Sequence, residues 1–214
     1  MQRRISHLLR KDDERWTFFR QWLKHPLSIA AISPSSQRLA ELMIEELPPG
    51  ARRVVELGGG TGVFTRALLK SGIAPADLLV LELNEELHQH LRRRFPAAHV
   101  VCGDARQLVD IAQRSGYSDG GPADAVVSGL GLLSMPRPLQ QSILEAAFGV
   151  LGPEGRFVQF TYGPTSPVAK EVLETLGLGV RRAGVAWRNM PPATVYVYTR
   201  HKSRGLKPRS MRTP

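Results

Sequence analysis

The chain has 214 residues, 42% of them hydrophobic and 22% charged, which is the composition of a folded globular protein and excludes general disorder. That length allows one sizeable core, or at most two small ones, and no run approaches the roughly eighteen apolar residues of a membrane-spanning helix. The net charge of +10 is uneven: residues 1–25 carry +4 and residues 181–214 carry +9, which leaves −3 for residues 26–180 and directs anionic partners to the two ends.

Residues 3–24 are expected to form an amphipathic helix, with Ile5, Leu8, Leu9, Trp16, Phe19 and Leu23 at helical spacing and Phe18 and Trp22 widening the stripe. Arginines and lysines supply the other surface, interrupted by Asp12, Asp13 and Glu14. Such a helix suits a membrane interface, where aromatic rings sit among headgroups and cations attract anionic lipid. It equally suits a lid whose aromatic stripe packs on the protein's own core. No signal-peptide h-region opens the chain, so the expectation is a cytoplasmic protein. Pro26 ends this helix, and Ser33-Pro34 opens another, with Leu39, Leu42, Met43 and Leu47 on its buried side, until Pro48-Pro49-Gly50 stops it.

From residue 52 strands and helices alternate. Strands are expected at 52–57, 78–83, 100–102, 123–128 and 156–162, with helices at 62–70, 84–95, 105–114 and 139–151 between them. Residues 179–187 and 194–199 read as two more strands, joined as a hairpin. This order predicts an α/β fold with right-handed βαβ crossovers and a doubly wound, mostly parallel seven-stranded sheet ending in an antiparallel hairpin. The chain then divides into residues 1–50, an N-terminal helical extension that docks on membrane or forms a lid; 51–200, the main domain; and 201–214, a basic tail. Cys102, the single cysteine, falls in an apolar run and reads as a small buried hydrophobe.

The stretch Val54-Val55-Glu56-Leu57-Gly58-Gly59-Gly60-Thr61-Gly62-Val63-Phe64-Thr65 reads as a buried strand entering a glycine turn that opens a helix. Gly58, Gly60 and Gly62 let the backbone take positive φ and approach a ligand closely. A dinucleotide fingerprint would have glycine at position 63, where Val63 stands, and a phosphate-cradling loop would have a lysine at the turn's end, where there is none before Lys70. Glu56 would repel phosphate and suits a cationic ligand bearing hydroxyls and an amino-acid end, a description that S-adenosylmethionine fits.

In a doubly wound sheet ligands bind beyond the carboxyl ends of the strands. Those ends here carry Glu56 with Leu57 and the glycine turn including Thr61, then Glu82 with Leu83 and Asn84, then Gly103-Asp104-Ala105, then Ser128. Glu82 follows Gly58 by 24 residues, which suits an acid accepting both ribose hydroxyls. Asp104 can accept from the adenine amine, with the Ala105 backbone as donor. Singly, Asn84 and Asp104 are also good helix caps. Taken together, these ends point to S-adenosylmethionine as the cofactor, and no metal is expected.

At these residues the chain resembles class I methyltransferases, and more particularly the bacterial phospholipid N-methyltransferases, which are themselves similar to rRNA adenine dimethylases. The resemblance covers about residues 16–200. It rests on Phe19-x-x-Trp22-Leu23-Lys24-x-Pro26, Ala31-x-x-Pro34-Ser35-Ser36, the glycine stretch, Ser128-Gly129-Leu130-x-Leu132-Leu133-Ser134-Met135-Pro136, Phe157-Val158-Gln159-Phe160-Thr161-Tyr162-Gly163-Pro164 and Trp187-Arg188-Asn189-x-Pro191-Pro192-Ala193. Gly59 stands where the family often has proline, which should loosen the turn.

The resemblance implies a Rossmann-like fold, methylation of phosphatidylethanolamine, successively toward phosphatidylcholine, and peripheral attachment to the inner membrane leaflet. It also implies that the loop after Ser128 borders the transferred methyl. Adenine dimethylases usually place an amide or acid and an aromatic there; Ser128-Gly129-Leu130-Gly131 has neither and suits acyl chains or a headgroup better. Trp16, Phe19, Trp22, Ser35, Ser36, Gly129 and Leu130 are then expected to meet lipid. Ser128, Tyr162 and Trp187 would serve the reaction, the two aromatics through cation–π contact with the methylated headgroup. Tyr162, Glu56 and Asp104 are candidates to orient the acceptor amine or take its proton, and loss of that proton to water is equally allowed. Nucleic acid and a stable protein partner are not expected. Two other readings remain: an RNA adenine methyltransferase, favoured by the basic ends, and a non-catalytic lipid-binding protein on the same fold.

Overall fold

The computed structural model describes residues 34–187, 189 and 192–201, with side chains from residue 37 onward. The expected helix over residues 3–24, with Trp16, Phe19 and Trp22, lies outside the described residues, as do residues 202–214 of the tail and the side chains of Ser35 and Ser36.

Strands β1 (Val54–Leu57), β2 (Leu78–Glu82), β3 (His99–Cys102), β4 (Ala123–Ser128), β5 (Leu151–Thr161), β6 (Leu178–Ala186) and β7 (Ala193–Arg200) form one sheet in the order β3-β2-β1-β4-β5-β7-β6. The pairs β1·β2, β1·β4, β2·β3 and β4·β5 are parallel; β5·β7 and β6·β7 are antiparallel. The order reverses between β1 and β4, so a crevice opens beyond their carboxyl ends. Among the described residues six helices cover the sheet: α1 (Pro34–Ile44), α2 (Val63–Lys70), α3 (Glu85–Arg94), α4 (Leu108–Arg114), α5 (Arg137–Val150) and α6 (Lys170–Leu176). Among the described residues no helix is long and apolar enough to cross a membrane.

Every residue of β1 and β2 is buried, as the near-continuous apolar runs of parallel strands covered on both faces require. Alternation then sorts the side chains into two cores. Val55, Leu57, Leu79, Leu81, Val126 and Phe157 join Leu108, Ile111, Ile143, Leu144, Val172 and Leu173 of α4, α5 and α6. Val54, Leu78, Val80, Ala125, Val127 and Val158 join Leu39 and Met43 of α1, Leu68 of α2 and Leu91 of α3. The α1 helix is thus part of the sheet's own packing. Glu56 shares the parity of Val54 and faces the α1–α3 layer.

At the amino ends, opposite the crevice, Asp124 accepts hydrogen bonds from the backbone N–H of Arg52 (2.8 Å) and Arg53 (2.9 Å), and Arg53 pairs with Asp77 at 2.8 Å while lying over the Tyr117 ring. These contacts tie β1 to β4 at the end that carries no cofactor-type residues.

The fold is the one expected, with local differences. The α1 helix stops at Ile44, before the Pro-Pro-Gly signal. The segment after Asp104 starts as a short 3-10 turn at Ala105–Gln107 before α4 begins. Strand β5 follows α5 directly at Leu151, and between the pairs Ala123–Leu151 and Ala125–Arg156 the register slips to absorb three extra residues of the 152–155 segment. Helix α6 has no counterpart in the sequence reading, because seven residues hold too few turns for a periodic signal; its one clear mark is the left-handed C-cap at Gly177. Cys102 is exposed, not buried, because β3 is an edge strand that its neighbours only partly cover.

Candidate active site at the carboxyl ends of the strands

The register aligns Leu81, Leu57, Ser128 and Gln159 across β2, β1, β4 and β5, with Glu82 opposite Cys102 one position further along. The residues singled out at the four strand ends are therefore neighbours along one rim. Gly58 and Gly62 hold the turn above β1 at φ of +75° and +81°, a region that costs other residues free energy. Gly62 is also the N-cap of α2. Gly59 has ordinary φ but no room: a Cβ there would lie 2.6 Å from Val80 and 2.8 Å from Leu91. Its N–H donates to Leu81 O at 3.1 Å and its carbonyl accepts from Gly62 N. The glycine at this position locks the turn onto β2 and α3, correcting the expectation that it loosens it.

Glu56 is fully buried. Its Oε2 accepts from the Thr65 hydroxyl at 2.6 Å, while Oε1 has no partner. Burial pushes the carboxyl up to about 8, with Glu82 adding to the rise and Thr65 opposing it. Glu82 lies across the glycine turn: Oε2 accepts from Gly60 N at 2.8 Å and Oε1 from Asn84 N at 2.9 Å. Asn84 caps α3 through Leu87 N at 3.0 Å. Leu83 beside it is 68% exposed.

Gly103 donates to Glu82 O at 3.1 Å. Asp104 caps the following turn through Arg106 N and pairs with the Arg106 guanidinium, which holds its carboxyl below the usual range. Asp104 therefore offers a fixed anion rather than a proton acceptor, with the Arg106 backbone N–H on Oδ1 and its guanidinium on Oδ2.

Ser128 is buried and its hydroxyl oxygen accepts from Leu130 N at 3.3 Å. Gly129 N donates to Leu57 O at 2.8 Å, and a Cβ at Gly129 would lie 3.0 Å from Gly58 O, so the loop after β4 rests against the glycine turn. Gln159 supports that loop from β5, its Nε2 donating to Leu130 O (2.9 Å) and Phe160 O (2.7 Å) while its buried Oε1 has no partner. Thr65 and Gln159 are absent from the site expected on sequence grounds; a polar side chain inside an apolar strand is the available signal at Gln159. Tyr162, just past β5, packs edge-on against Phe160 at 5.5 Å, and burial raises its phenol, which makes it a poor base. Pairing of Thr194 with Thr161 and Val185 brings the β6–β7 connection to this same end, where Trp187 is 75% exposed. Leu133, in the turn after β4, is 55% exposed.

An unpartnered carboxylate oxygen buried under a glycine turn, with a second acid across that turn, fits a ligand that is cationic and hydroxylated, as S-adenosylmethionine is. The comparisons agree. Residues 54–155 match the family model described as a methyltransferase domain. Over 151 residues the chain is 37% identical to an ornithine lipid N-methyltransferase of Singulisphaera acidiphila, covering 69% of this chain and 77% of that one. The chain belongs to the class I S-adenosylmethionine-dependent methyltransferases. A ribosomal RNA small subunit methyltransferase A of a Synechococcus species is 35% identical over 94 residues, or 42% of this chain and 31% of its own. Among solved structures, a TehB-like SAM-dependent methyltransferase from Corynebacterium glutamicum aligns with a TM-score of 0.55 at 19% identity, over 89% of this chain and all of that one, and so shares the fold.

Proposed function

We propose that this methyltransferase transfers methyl groups to the amino headgroup of a membrane lipid, at the surface of an anionic membrane on the cytoplasmic side. The observation that carries the proposal is the distribution of exposed apolar side chains. Of the four large ones among the described residues, Leu83, Leu133 and Trp187 follow the carboxyl ends of β2, β4 and β6, on the side where the candidate site opens. Exposed leucine and tryptophan around a site mouth suit a lipid boundary better than a folded RNA. The relative at 37% identity, an ornithine lipid N-methyltransferase, makes that lipid the first acceptor to examine and phosphatidylethanolamine the second.

S-adenosylmethionine supplies, when bound, an electrophilic methyl for in-line displacement. The protein's part is placement. Glu82 would accept the ribose hydroxyls, Glu56 would oppose the ligand's positive charge from beneath the glycine turn, and the Leu57–Gly62 and Gly103–Ala105 backbones would line the cofactor. The loop Ser128-Gly129-Leu130, held by Gln159, borders the acceptor. The acceptor amine must lose its proton before it reacts, since an ammonium has no lone pair; Asp104, paired with Arg106, and Tyr162, with a raised phenol, are poor acceptors for it, which leaves Glu56, whose carboxyl is raised by burial, and water. Tyr162 and Trp187 offer ring faces to the growing quaternary cation.

The test is incubation of the full chain with methyl-labelled cofactor and vesicles containing ornithine lipid or phosphatidylethanolamine, beside a parallel reaction with ribosomal RNA. Label in an aminolipid is expected; label confined to RNA, or to neither, overturns the proposal.

A further inference from the structure

We infer that Glu85, His88 and Cys102 form a binding site for a thiophilic divalent metal ion of the zinc class. Glu85 and His88 are three residues apart on the first turn of the ten-residue helix α3, hence on one face, and Cys102 ends β3, paired with Glu82 three residues before Glu85. Each side chain contributes one donor atom, and the three atoms lie within 4.8 Å of one another. Glu85 Oε1 and His88 Nδ1 are 3.5 Å apart, too far for a good hydrogen bond. It is close to the separation of ~3.4 Å expected for two ligands held at about 2.0–2.2 Å by a tetrahedral ion.

His88 supplies the independent observation. Its residue is only 8% exposed, yet Nδ1 has no hydrogen-bond partner. A buried imidazole nitrogen left unpaired is costly, and here it lies 3.5 Å from the Glu85 carboxylate, in a histidine whose donor atom is within 4.8 Å of the Cys102 sulfur. The donor set of one imidazole, one thiol and one carboxylate suits zinc and its neighbours, not calcium or magnesium, which take oxygen ligands. Glu85 and Cys102 are both exposed, so a fourth position would open to solvent, as in sites with three protein ligands. An ion held there would tie the start of α3 to the end of β3, the segments carrying Glu82-Leu83-Asn84 and Gly103-Asp104.

Because Cys102 is the single cysteine of the chain, thiol chemistry reports on this site alone. The experiment titrates the full chain with Zn²⁺ against a chromophoric chelator, records the absorption of the Co²⁺ form, and follows reaction of Cys102 with a thiol reagent with and without Zn²⁺. One high-affinity Zn²⁺ per chain is expected, with a thiolate-to-cobalt charge-transfer band. Losing an outer-sphere partner already costs about 10–100-fold in affinity, so Cys102→Ser and Glu85→Gln should each weaken binding at least about tenfold, and Zn²⁺ should slow Cys102 labelling by a similar factor. Both substitutions are at exposed positions, so they test the site even where His88→Ala, at a buried one, fails to fold. Binding unchanged in Cys102→Ser, or labelling indifferent to Zn²⁺, overturns the inference.

Discussion

At the scale of single residues, Glu56 is the group whose chemistry the fold alters most. Burial raises its carboxyl to about 8, and Oε1 is left without a partner. If the cofactor's positive charge lies above it as proposed, the carboxylate is favoured, and cofactor binding at neutral pH expels a proton. Affinity for S-adenosylmethionine is then flat above pH 8 and falls about tenfold per pH unit below it, with proton release measurable by calorimetry in buffers of different ionisation enthalpy. Glu56→Gln removes both the proton release and the slope. Linkage gives a second readout with its own sign: a carboxyl raised in the folded state contributes most to stability below its unfolded value, and that contribution is lost as pH rises through about 8. The cofactor-free wild type therefore loses thermal stability across that window while Glu56→Gln does not. In the sequence Glu56 was legible as an acid closing a strand. Its state was not, because Thr65 reaches it from nine residues away through the turn of the chain.

Between elements, Gln140 on α5 holds two loops at once. Its Nε2 faces the carbonyls of Leu132 (2.8 Å), Met135 (3.2 Å) and Pro167 (3.2 Å), and its Oε1 accepts from Ala169 N at 2.9 Å. It thereby joins the loop after β4 to the loop after β5, both at the site mouth, while Tyr196 and Tyr198 pin the second loop through Pro164 O and Ser166. Gln140→Leu leaves buried backbone groups unpaired and should cost about 1–3 kcal/mol in denaturant unfolding. If, as proposed, these loops border a lipid acceptor rather than the cofactor, KM for lipid should rise several-fold with cofactor affinity little changed; an equal loss of both would place the effect elsewhere. Gln140 carried no signal in sequence, being one polar residue in an amphipathic helix. Gly59 was misread for a related reason: its role is set by Val80 and Leu91, residues of other elements, and spacing within the turn says nothing of them. Strand ends, caps and glycine turns are local and were legible; inter-element clasps are not.

For the molecule as a whole, the alternation of apolar runs with helices was enough to give the sheet, because right-handed crossovers leave few arrangements for parallel strands. Charge and exposure then combine into one prediction about where the protein binds. The basic ends carry +4 and +9 around a −3 core, and Leu133 and Trp187 are exposed at the site mouth. If the site mouth is the docking face, the two contributions separate by their response to salt. Removing residues 202–214, which hold five Lys/Arg, should lower affinity for vesicles rich in anionic lipid, each cation near the surface being worth up to about 1 kcal/mol, and should flatten the salt dependence. Trp187→Ala withdraws apolar burial worth about 1.5–3 kcal/mol, so it should lower affinity by roughly tenfold or more at every salt concentration without changing the slope. Vesicle sedimentation over a salt series reads both effects. Equal binding by wild type and both variants would remove the site mouth and the basic tail from the docking surface, and a loss for the truncation alone would make the attachment electrostatic and independent of the site.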